Sequence, residues 1–182
     1  HLNISCKNAI NRLIKKNKEY NFRLLVITNN INQWIIGKPN IPIDYIKYNL
    51  ETIEKDLLKI DIGIVPNISG YSNTQKINKQ DNMLGKYDSD IKIRFKNKSN
   101  NGRALVFHQL KIPVIADYTP SNIHILGDPK NGYAVCSEEG WYNAFNELLD
   151  IKKREYISNN AYLEVKNKYN PKIWVGELIN NL

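Results

Sequence analysis

No apolar run in this chain approaches the ~18 residues that a bilayer-spanning helix needs. The opening residues lack a basic stub followed by an apolar stretch and read as an amphipathic helix, so no secretory signal is expected. Cysteine is scarce: Cys6 and Cys136 stand alone, in apolar settings, without CxxC or CxxH spacing. That excludes a disulfide framework and a zinc finger, and predicts two buried free thiols in a cytoplasmic protein. No His, Cys and Asp residues fall at metal-ligand spacing, so no metal or other cofactor is expected. A Ser-His-Asp arrangement is equally missing. Concentrated charge is also lacking. The net charge is +8, but residues 1–60 hold 10 basic against 5 acidic side chains while residues 98–150 hold 4 against 6. Nucleic-acid domains gather their cations on one face, so no nucleic-acid partner is expected. An anionic membrane surface is a somewhat better fit for the excess charge.

What is present points to one α/β domain over residues 1–182. The chain is 182 residues long with 42% apolar and 24% charged residues, enough for one buried core and too short for two typical domains. Residues 3–17 read as a helix with Ile4, Ala9, Ile10, Leu13 and Ile14 on one face. Residues 22–28 (FRLLVIT) form a continuously apolar strand of the type covered on both sides. Strands are also predicted over 43–48, 61–66, 112–116 and 132–136. Helices are predicted over 51–59, capped by Asn49 or Thr52, and then over 138–149, 152–169 and 171–182. Alternating strands and helices with buried strands imply a Rossmann-like parallel sheet flanked by helices, ending in C-terminal helices. Residues 68–97 form a polar insertion, long for a compact domain; a mobile segment and a lid both remain open.

The segment from Lys98 to Asp117, KSNNGRALVFHQLKIPVIAD, carries the first functional hint. A polar, cationic loop leads into a helix on which Leu105, Val106 and Leu110 are predicted to share the buried face. An apolar strand follows. Lys98 and Arg103 then sit at a helix start, where unpartnered N–H groups and the dipole attract phosphate. In doubly wound folds the ligand lies at the carboxyl ends of the strands. Asn29, Lys47, Tyr48, Asn67, Lys98, Ser99, Asn100 and Arg103 all fall at such ends.

The order DIGIVP, KSNNGR, KIPVIAD, DPKNGYAV, EEGWYNAFNELL resembles the C-terminal, donor-binding half of a GT-B glycosyltransferase of the family-4-like bacterial group. Ile112 to Ala116 matches that family's "G-x-P-V-V-A" strand, with Lys111 in place of the usual glycine. Asn131-Gly132 matches its "D-G-x-N-G" turn, and Trp141, Leu148 and Leu149 its following helix. Upstream, IDYIKYNLETIEKDLLKIDIGIVP resembles the segment that contacts the nucleotide base.

The resemblance implies glycosyl transfer from a nucleotide-activated sugar, UDP- or GDP-linked, to an acceptor hydroxyl, with retention of configuration. It implies a place in cell-envelope polysaccharide or glycolipid synthesis, and a cytoplasmic site at the inner face of the membrane. Lys98, Ser99, Asn100 and Arg103 would then bind the donor diphosphate and sugar, without a metal. Asn29, Lys47, Tyr48 and Asn67 would line the base or donor pocket. An N-terminal acceptor-binding domain and a first strand of this domain, both expected in the family, are not matched in the chain, which by itself would be inactive. Two glutamates common in the family fall here on Lys98 and Val106. That departure opens an alternative: a degenerate domain that only binds nucleotide, sugar or a protein partner.

Overall fold

A computed structural model describes residues 2–31, 34, 37–66, 102–170, 175, 176 and 179. The insertion at 68–97, Asn67, Lys98, Ser99, Asn100 and most of the expected helix over 171–182 lie outside the described residues. The elements run α1 (Ile4–Lys16), β1 (Leu24–Ile27), β2 (Ile43–Ile46), α2 (Ile53–Leu57), β3 (Gly63–Val65), α3 (Gly102–Gln109), β4 (Val114–Asp117), α4 (Pro120–Leu126), β5 (Tyr133–Val135), α5 (Glu138–Glu147) and α6 (Ile151–Lys168).

Every strand pairing among the described residues is parallel. The ladders fall into two groups among the described residues, β1 with β2 and β3-β4-β5. Leu24 faces Ile43 in the first; Ile115 faces Ile64 on one side and Tyr133 on the other in the second. One hydrophobic core joins the two groups. It takes Cys6, Ala9, Ile10 and Leu13 from α1, Leu24 from β1, Ile115 from β4, and Trp141, Ala144 and Phe145 from α5. The α1 residues lie three, four and seven apart, so they line one helical face. Each fully buried Leu, Ile or Phe side chain contributes about 1.5–3 kcal/mol.

Helix ends follow their local chemistry. Asn3 caps α1 by accepting from the Cys6 amide, Ser137 caps α5 and Asp150 caps α6. The Thr119-Pro120 pair opens α4, a helix absent from the sequence expectations although an N-cap threonine followed by proline at the first helical position signals one. Helix α2 is shorter than expected. The Thr52 hydroxyl does not cap it and instead bonds Asp56, while Asn49 accepts from Glu51 through its side chain and from Ile53 through its carbonyl.

Three expectations are corrected. Strand β1 is four residues long and buries only Leu24, because its other side chains sit at the margin of the core. On α3 the buried residues are Ala104 and His108, whereas Val106 is 41% exposed. Small Ala104 allows close approach to β3 and β4, and the Phe107 ring occupies the space where a Cβ on Gly63 would come within 2.7 Å. Cys6 is buried as expected, but Cys136 is exposed because it follows the end of β5 at the surface.

The chain leaves α3 by a left-handed turn. The Lys111 amide donates to His108 and the Ile112 amide to Phe107, a Schellman arrangement with Lys111 at φ 56°. Ile112 is buried against the helix end it closes. At the other tight turn, Gly132 has φ 147°, and a side chain there would meet the Val114 carbonyl at 2.8 Å. Strand β4, VIAD, is buried throughout, as its apolar run predicts.

Candidate functional site

Among the described residues each ladder is parallel, so the carboxyl ends of β1 and β2 share one edge and those of β3, β4 and β5 share another edge of their own ladder. After β1, Thr28 accepts from the Asn30 amide in a tight turn that leaves Asn29 exposed. After β2, Lys47 and Tyr48 are exposed and border an open depression of about 550 Å³ lined also by Asn49, Leu50 and Thr52. It is shallow and open, and its walls come from a single loop segment, residues 47–52.

The β3–α3 connection runs through residues outside the described set. Arg103 is placed: it is exposed in the first turn of α3, at the end of that helix nearest the carboxyl edge. The positive end of the helix and the guanidinium together favour an anion there. The structure thus places Lys47 and Tyr48 on one open depression and Asn29 on the loop after the paired strand β1, with Arg103 at the start of the helix between β3 and β4. It says nothing of Asn67, Lys98, Ser99 and Asn100.

The firmest structure at the carboxyl edge of the β3-β4-β5 ladder follows β4, where the sequence reading marked a strand end without assigning a role. Asp117 is 3% exposed, and the Asn3 amide donates to both its carboxylate oxygens, at 2.8 and 2.6 Å. Its carbonyl accepts from the Asn122 side chain and from the Thr119 amide, both at 2.8 Å. The Tyr118 amide donates to Val135 at 2.8 Å. The Cys6 thiol is pushed well above its ordinary pKa, first by burial and then by the Asp117 charge, so it stays protonated and inert. An acid ending an apolar strand run was the available signal for this anchor. Its partner Asn3, 114 residues away, carried no such signal.

His108 is not part of this edge. It is buried inside α3 with Nε2 unpaired, and burial, opposed by nearby Glu164, lowers its pKa to about 4. It is a packed neutral imidazole. Trp141 is likewise a core side chain. Among the described residues no group of His, Cys, Asp and Glu is arranged to hold a metal, and no helix is long and apolar enough to cross a membrane.

No protein-family model matches the sequence, and no curated protein matches it. Among solved structures the chain is similar to the C-terminal domain of a glycosyl transferase group 1 family protein, LpcC, from Francisella tularensis. The TM-score is 0.57 at 19% identity, over 92% of this chain and 78% of that one. At this identity the likeness is one of fold. The chain has the Rossmann-like fold of a GT-B glycosyltransferase C-terminal domain.

Proposed function

We propose that this chain, having that fold, is the donor-binding half of a glycosyltransferase. It would hold a nucleotide-activated sugar, UDP- or GDP-linked, for transfer to a hydroxyl carried by a separate acceptor-binding domain. The observation that supports this best is the likeness of fold to a glycosyl transferase C-terminal domain, with Lys47 and Tyr48 exposed after β2, at the strand end where doubly wound domains take nucleotides. In this reading Tyr48 stacks on the base and Lys47 and Asn29 bond its edge or the ribose. Arg103, with Lys98, Ser99 and Asn100 from the sequence argument, meets the diphosphate. Charge that develops on the leaving diphosphate would be stabilised by these cations and the α3 N-terminus. Retention of configuration, a cytoplasmic site at the inner membrane face and a role in envelope polysaccharide or glycolipid synthesis complete the proposal.

Thermal shift against UDP, GDP and their sugar conjugates tests it. A nucleotide at 100 times its dissociation constant adds about 2.7 kcal/mol, on the order of 5–10 °C for a chain of this size. The shift should be lost in Lys47→Ala and Arg103→Ala. If no nucleotide stabilises the wild-type chain, the proposal fails.

A second reading has its own observation. Val106, at the place of a family glutamate, is an aliphatic side chain on α3 that cannot bond a ribose. A domain that binds nucleotide or sugar without turnover would carry such a change. Saturable nucleotide-sugar binding with no transfer to any acceptor hydroxyl, water included, would favour it.

A further inference from the structure

We propose that the outer face of α1 is the surface by which this chain lies on an anionic lipid bilayer. This rests on the inner-membrane-face part of the reading above and is independent of where the donor sits. Lys7, Arg12, Lys15, Lys16 and Lys18 all precede the first acidic residue, Glu19, whereas residues 19–60 hold five side chains of each sign. The cation excess of the first sixty residues thus belongs to one helix and the turn that follows it. Folding decides which way these cations face. Cys6, Ala9, Ile10 and Leu13 are buried in the core, which leaves Ile4, Asn8, Asn11 and Lys15, spaced four, three and four apart, along the opposite side. Lys15, Lys16 and Lys18 are exposed there.

Neighbouring elements widen this face. On one flank the Arg12 guanidinium lies 4.0 Å, and the Lys16 ammonium 5.5 Å, from the centroid of the Tyr142 ring on α5. On the other flank the Asn40 amide donates to the Asn11 side chain, and a Cβ on Gly37 would meet the Lys7 ammonium at 3.4 Å. The loop that carries the exposed Lys38 therefore lies against α1. Three acids belong to the same surface: Glu138 and Glu139, which accept from Asn8 and Arg12, and Glu19 beside Lys18. Lys7, Arg12, Lys15, Lys16, Lys18 and Lys38 outnumber them two to one. A cluster of this size on an amphipathic helix suits anionic lipid headgroups. Shape selects that partner over nucleic acid. One side of α1 is sunk in the core, so the helix cannot enter a groove as a recognition helix does, whereas a broad cationic face can meet the flat surface of a bilayer.

Co-sedimentation with vesicles of phosphatidylcholine, pure or mixed with phosphatidylglycerol, tests this. The wild-type chain is expected to bind the mixed vesicles only, and more weakly as salt rises. Each cation near the bilayer strengthens binding about fivefold. Lys15→Gln, Lys18→Gln and Lys38→Gln together should therefore weaken it on the order of 100-fold. Lys55→Gln, Lys130→Gln and Lys166→Gln, at three exposed lysines carried elsewhere on the chain, lower the net charge equally and should cost only a few-fold. All six side chains are exposed, so both triple variants should unfold close to the wild-type temperature. Equal losses in the two triples overturn the inference, because net charge alone would then be at work, and leave the membrane-face reading standing. Undiminished binding in the first triple does the same. A wild-type chain that ignores anionic vesicles overturns both, and its retention on duplex DNA would then assign the face to nucleic acid. The nucleotide-induced thermal shift, which reads the donor site alone, should be the same in all three chains.

Discussion

The Asn3 side chain donates to both carboxylate oxygens of Asp117, at 2.8 and 2.6 Å, and its own oxygen accepts from the Cys6 amide at 2.8 Å. One amide thus starts the first helix and anchors the carboxyl end of β4. Replacing it removes a helix cap, worth about 1 kcal/mol, and a hydrogen bond to a buried charge, worth about 1.5–3 kcal/mol. Asn3→Ala should therefore lose about 2–4 kcal/mol in urea unfolding. A loss below about 0.5 kcal/mol would show that the pair is not formed in solution. Asn3→Asp sets two carboxylates face to face, so its deficit should shrink on acidification.

Lys111 occupies a backbone conformation that suits glycine, at φ 56°. A side chain in the left-handed region costs about 1 kcal/mol. Part of this is returned by the Lys111 ammonium, 4.9 Å from the Tyr162 ring centroid. Lys111→Gly relieves the strain and loses the ring contact, so it is expected to raise stability by no more than about 0.5 kcal/mol, and Lys111→Ala to lower it, since alanine keeps the strain and loses the ring contact. Urea midpoints for the two variants should move in opposite directions. Movement in the same direction would contradict this account.

The buried His108 sets a pH dependence. Its imidazole takes up a proton near pH 4 in the folded chain, against an ordinary value of 6.5. Below 6.5 the unfolded state binds more protons, so stability is present at neutral pH and drains away as pH falls toward 4. Between pH 7 and 5 the loss attributable to this group should be about 2 kcal/mol. His108→Gln should flatten the stability profile over that interval, while its carboxylate-driven losses at lower pH persist. Parallel profiles for wild type and variant would show that His108 is reached by water.

Much of the fold was legible in the sequence because its elements announce themselves locally. The spacing of Ala9, Ile10 and Leu13 marks α1, and the short apolar run closed by Asp117 marks a buried strand. The misreadings share a cause, since burial is decided by what lies opposite. Val106 has the apolarity of a core residue, yet α3 turns Ala104 and His108 inward because β3 and β4 approach closely there and Gly63 makes room for Phe107. The Lys111 departure from the family glycine was visible in the sequence; its positive φ was not. The candidates Asn29, Lys47 and Tyr48 come from strand ends and Arg103 from a helix start, and the structure describes these four as exposed. The Asn3–Asp117 tie needed the fold, because it joins residues 114 positions apart.

The parallel ladders end at a seam. Among the described residues β1 and β2 share no backbone hydrogen bond with β3, β4 and β5, and the two groups meet through side chains of one core. Hydrogen-bonded strands keep register, whereas packed side chains tolerate small sliding movements, the basis of shear in proteins. Side chains of α1 and α5 fill the space between the two ladders, so the packing of those two helices holds the ladders together.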